Sequence, residues 1–164
     1  MNRLVSLRDF LATGSIGDLR PGLTMNEVAR LLGPPATWMV EEEGIPLYWT
    51  YSSDAPRLEI SFERKASLKC EWFQIEFAGY LEGDVARLTR DVFMTLDGLS
   101  GRSTISDFIA AIPDRTRVKV QMDDGTGSFG PRVLIDNGCR IGFVPCHGRE
   151  PDFPLAAFRD NIGL

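Results

Sequence analysis

One segment of this chain occurs twice, and that repeat constrains the fold more than any single motif. The first copy runs from Leu19 to Gly33 and the second, 80 residues later, from Leu99 to Pro113. Leu19 matches Leu99, Thr24 matches Thr104, Glu27 matches Asp107, Val28 matches Phe108 and Leu32 matches Ile112. Each copy reads as a loop, a capped short helix and a stop. Thr24 and Glu27 form a capping box, in which hydroxyl and carboxylate satisfy opposite amides of the first turn. Thr104 and Asp107 repeat it, with Asp expected to be the poorer return acceptor because it is one methylene shorter. Met25, Val28, Leu31 and Leu32 form an apolar stripe at helical spacing, restated by Ile105, Phe108, Ala111 and Ile112. Gly33 with Pro34, and Pro113, supply the stops. A long-period repeat predicts architecture before activity.

Strand-like runs follow each copy. Residues 47–51 alternate with Leu47, Trp49 and Tyr51 on one side. Residues 58–62 alternate with Leu58, Ile60 and Phe62, and residues 70–77 with Phe73, Ile75 and Phe77. After the second copy, Val118, Val120 and Met122 alternate with Arg117, Lys119 and Gln121. Residues 132–136 and 139–144 flank Asn137-Gly138, which predicts a type I′ hairpin turn. A period of two with one apolar face predicts antiparallel sheet covered on one side. An additional short helix is expected from Ser6 to Thr13. Residues 81–90 read as a polar connection before a strand at 91–96, and the tail from Pro151 as a short apolar clasp. The expected fold is α+β: a tandem repeat of two units, each a short capped helix packed on an antiparallel sheet. The first unit covers residues 1–82 and the second 83–164, packed as one globular body. An apolar content of 43% in 164 residues is enough for such a core.

The segment from Leu19 to Pro35 resembles the small lipoproteins of the outer-membrane β-barrel assembly machinery. These share its Thr or Ser cap, acidic-Val pair and Leu-Gly-x-Pro ending. The tandem arrangement resembles the β-lactamase inhibitory proteins. The resemblance implies a bacterial helix-on-sheet protein whose far sheet face binds other proteins, and it carries no particular target.

The net charge of −5 disfavours nucleic acid as the main partner, because phosphate binding needs a basic surface. Arg8 and Asp9 interrupt the N-terminal apolar stretch before a secretory core forms, and no later stretch reads as a membrane span. Three cysteines, Cys70, Cys139 and Cys146, suit a reducing compartment, so a cytoplasmic protein without membrane attachment is expected.

Chemistry is sparse. Cys146 beside His147 suggests a thiol nucleophile, but no third group is evident to orient the base. Cys139, Cys146 and His147 do not follow a zinc spacing. The glycine-rich run 125–130 lacks the Lys-Ser/Thr of a phosphate loop, and Glu41–Glu43 reads as a solvated run. No catalytic residue, metal or cofactor is assigned. Outward strand parity instead places Tyr48, Glu59, Trp72, Gln74 and Glu76 on the open sheet face of the first half. In the second half it places Arg117, Lys119, Arg132 and Arg140 there. Aromatic residues among polar groups have the composition of a protein-binding hot spot. The expected function is a non-enzymatic protein-binding module, most concretely an inhibitor or immunity-type protein blocking a partner such as a toxin or an enzyme. Two other readings are a small-ligand protein or enzyme with a pocket between the repeats, and an assembly or scaffold subunit.

Overall fold

A computed structural model describes residues 2–40, 47–52, 56–63, 67–76, 83–100, 103–121, 131–144 and 153–160, with Leu47, Val144 and 153–160 described by backbone alone. From the N-terminus the elements are β1 (Arg3–Ser6), α1 (Leu7–Thr13), α2 (Met25–Leu32), β2 (Thr37–Val40), β3 (Leu47–Thr50), β4 (Arg57–Phe62) and β5 (Cys70–Glu76). There follow β6 (Val85–Arg87), β7 (Val92–Thr95), α3 (Ile105–Ala111), a 3₁₀ turn (Arg115–Arg117), β8 (Val118–Gln121), β9 (Arg132–Ile135), β10 (Cys139–Val144) and β11 (Phe153–Asp160). The result is a mixed α+β fold.

Local chemistry sets the helix ends. Ser6 Oγ accepts the Asp9 N–H at 3.0 Å, and Gly14 closes α1 in the left-handed region. Both predicted capping boxes form. The Thr24 N–H donates to Glu27 and the Thr104 N–H to Asp107, each at 2.7 Å. The shorter Asp therefore reaches back as well as Glu does, contrary to expectation. The loop before α2 is pinned to the start of β5, with Gly22 N–H on the Cys70 carbonyl and Cys70 N–H on the Leu23 carbonyl, both at 2.7 Å.

The sheet order is β2-β3-β4-β5-β11-β10-β9-β8, so two four-stranded antiparallel meanders meet at β5 and β11. Each meander follows one boxed helix. Leu58, Ile60, Phe73, Ile75, Val133 and Ile141 fill the helix-side core. Phe10 of α1 packs on Phe73 of β5 with ring centroids 5.8 Å apart, and Phe108 of α3 on Phe143 of β10 at 5.6 Å. Each such fully buried ring contributes roughly 1.5–3 kcal/mol relative to exposure. Asn137 Nδ2 donates to the Leu11 carbonyl at 2.9 Å, and Cys139 Sγ to the Phe10 carbonyl at 3.6 Å. The end of α1 is thus held by the β9–β10 turn.

Four expectations change. The tail is not a clasp: residues 153–160 form β11, the strand that joins the two meanders. The Asn137-Gly138 hairpin has a three-residue loop. Gly138 alone has positive φ, and its N–H returns to the Ile135 carbonyl at 2.9 Å, the geometry of a type I turn closed by a glycine bulge. Residues 85–87 are a strand, and β1-β7-β6 form a second, three-stranded sheet in which β1 and β7 run parallel. Finally, β2 is an edge strand that the alternation did not predict. Met122 and Phe77, each assigned above to a strand, lie outside the described residues.

Asp97 ties this small sheet to α1. Its carboxylate accepts the Ser6 hydroxyl at 2.7 Å, the Arg8 N–H at 2.9 Å and the Thr95 hydroxyl at 2.8 Å. Its φ of 52° is one that Asp tolerates better than most side chains. Burial opposes its charge, but these donors and the Arg8 guanidinium outweigh burial and hold it below the ordinary 3.8. A depressed carboxyl stabilises the fold above its unfolded pKa, and that stability is lost as pH falls through the folded one. Asp97→Asn should therefore be less stable than wild type at neutral pH and should lose less on acidification. Urea midpoints from pH 7 to about pH 2 measure both. Deleting residues 153–164 should abolish the cooperative thermal transition seen by circular dichroism, and a retained transition would refute the central role of β11.

Candidate protein-binding face

Antiparallel register turns strand parity into rows of residues across the sheet. One row runs Thr37, Thr50, Glu59, Gln74, Phe158, Arg140, Leu134, Lys119, one residue from each strand. A second runs Met39, Tyr48, Ser61, Trp72, Asp160, and a third Arg57, Glu76, Ala156, Gly142, Arg132, Gln121. Residues directly opposite share a face. The rows therefore bring Tyr48, Glu59, Trp72, Gln74, Glu76, Lys119, Arg132 and Arg140 to the side away from the helices. Arg117, in the 3₁₀ turn just before β8, forms an ion pair with Asp136 in the β9–β10 loop, one step beyond the paired residues.

The aromatic centre has a specific geometry. The rings of Tyr48 and Trp72, two strands apart, meet edge-to-face with centroids 5.1 Å apart. Ser61 lies between them and is only 3% exposed, small enough for the rings to close above it. Tyr48 and Trp72 themselves stay partly exposed.

Beside them Arg57 pairs with both acids. Its Nε lies 3.0 Å from Glu59 Oε1 and its Nη2 bonds Glu76. That bond, with both carboxylates nearby, raises the Arg57 pKa. Gln74 donates to the other Glu59 oxygen. Arg57 was not among the predicted site residues, although it shares the parity of Glu59, which was the available signal. Its presence changes the charge reading. Two acids and one base stand on this half of the face, and Lys119, Arg132 and Arg140 on the other. Burial, then the charge of neighbouring Arg132, lowers the Arg140 pKa.

The remaining sequence candidates are located as follows. Cys70 and Cys139 are both buried. Cys146, His147, Glu41–Glu43 and the run 125–130 lie outside the described residues. Among the described residues no cluster of three metal-binding side chains occurs. A groove of about 240 Å³ lies between β1, the loop after α1 and the end of α2, lined by Leu4, Ile16, Leu31 and Val92 with Arg3 and Asp18. It includes none of the face residues and does not lie between the two meanders. No helix among the described residues is long and apolar enough to cross a membrane. Comparison of the chain with protein-family models, curated proteins and solved structures gives no match.

Burial, followed by the charge of Glu71, pushes the Cys70 thiol up to about 12. At pH 8 Cys70 should therefore resist iodoacetamide in the folded protein and react once denaturant is added, since the thiolate is the nucleophile. Peptide-resolved mass spectrometry reads this directly; rapid native labelling would show that the site opens to solvent.

Proposed function

We propose that this chain is a non-enzymatic protein-binding module that uses its open sheet face to block a partner, as a bacterial cytoplasmic inhibitor or immunity-type protein would. The observation that carries this reading is the Tyr48–Trp72 pair, partly exposed over Ser61 and flanked by the Arg57–Glu59–Glu76 cluster. Interface hot spots combine such aromatic anchors with a polar rim. The basic patch of Lys119, Arg132 and Arg140 suits a partner with an acidic surface next to an apolar protrusion.

The finer fold reading belongs with this function. We read the chain as a tandem of two helix-on-sheet units, in keeping with its resemblance to the β-lactamase inhibitory proteins. The support is one boxed helix before each four-stranded meander. In that reading the two units supply the aromatic and basic halves of one binding surface.

The test begins with affinity capture of the partner from the native cell, followed by calorimetric titration. Replacing both Tyr48 and Trp72 with Ala should cost about 2 kcal/mol or more, roughly 30-fold in affinity. The melting temperature should change little, because both rings are already partly in water. Unchanged affinity in a folded double variant would remove the face from the interface.

A further inference from the structure

The edge strand β2 has chemistry that the open face does not account for. Six large hydrophobic side chains are exposed among the described residues, and three of them are consecutive on β2: Trp38 at 65%, Met39 at 70% and Val40 at 51%. The strand pairs with β3 on one side and, among the described residues, ends the sheet on the other. Alternate residues therefore direct backbone N–H and C=O groups outward, and the natural complement to such an edge is another strand. The opposite edge is guarded. There β8 carries the exposed Lys119, and Val120, at 46%, is its one exposed large hydrophobic. Charge of one sign on an edge strand repels a second copy of itself. Strand β2 has no charged residue.

We infer that β2 pairs antiparallel with β2 of a second copy of this chain, joining two sheets across a two-fold axis. Register parity selects the arrangement. Opposed residues must share a face, so the two residue numbers must sum to an even value. Centring the axis on Met39 sets Met39 against the second copy's Met39 and Trp38 against its Val40, covering all three exposed apolar side chains. The same register continues the row Trp72, Ser61, Tyr48, Met39 directly into its counterpart. A two-fold axis perpendicular to the sheet keeps both helix layers on one side and both open faces on the other. The dimer thus presents two copies of the aromatic centre on one continuous surface. The occupant is a second copy because the strand is uncharged and complementary to itself in this register.

Sedimentation equilibrium on the full chain tests this without the unknown partner, so it stands apart from the binding test above. Wild type should show twice the chain mass at high concentration. Met39→Lys puts two like charges face to face and should be monomeric, with an unchanged circular dichroism spectrum and melt. Val120→Lys on the other edge should remain dimeric. Met39→Cys, in a background with Cys146→Ser, should form an interchain disulfide on mild oxidation, and Val120→Cys in that background should not. A wild type that stays monomeric throughout, or a dimer indifferent to Met39→Lys and uncrosslinked by Met39→Cys, overturns the inference.

Discussion

The structure depends on the two ladders that β11 makes with β5 and β10. Five residue pairs link it to β5 and six to β10, with a register shift between Gly142 and Phe143. Pro154 stands opposite Phe143 at that shift, where a residue without an N–H is best tolerated. Without this strand the meanders would be separate ribbons, and no row could cross from Glu59 to Lys119. Helix α1 bridges the same seam from above. Its Phe10 ring rests on Phe73 of β5, while its Phe10 and Leu11 carbonyls are held by Cys139 and Asn137 at the start of β10.

How much of this is legible in the sequence depends on whether the cause is local. The helix ends are, because Ser6, Thr24, Thr104, Gly14 and Gly33 act on amides and dihedrals within a turn of themselves. Strands β3, β4 and β5 are, because their alternation records a single covered face. The residues of β11 contain Pro154, Ala156 and Ala157 and show no such alternation. Their strand identity comes from two neighbours distant in sequence, which no local pattern encodes. The Asn137-Gly138 signal gives the hairpin correctly and the turn type wrongly, because Asp136 joins the loop and only Gly138 takes positive φ. Likewise β1 forms a strand through parallel pairing with a segment about 90 residues away.

The face was legible by parity and misleading by charge. Alternation assigns Tyr48, Trp72, Glu59 and Glu76 to one side, but it says nothing about pairing between strands. Arg57 joins both acids and offsets the negative charge that parity alone counts there. Arg117 lies one residue before β8, in a 3₁₀ turn that Asp114 caps through the Thr116 N–H, and still meets Asp136 across from it. The burial of Ser61 also depends on ring positions two strands apart, which a sequence count cannot supply.

The place of β11 in the sheet also has a consequence for biosynthesis. A ribosome makes β5 about 80 residues before it makes the strand that pairs with its free edge. Until then the nascent first meander has one edge unfilled and part of its helix layer without support. Pairings so distant along the chain form slowly, because the intervening loop must close first. A pause in translation before residue 153 would leave an apolar half-sheet waiting with an open edge, the kind of species on which chaperones act.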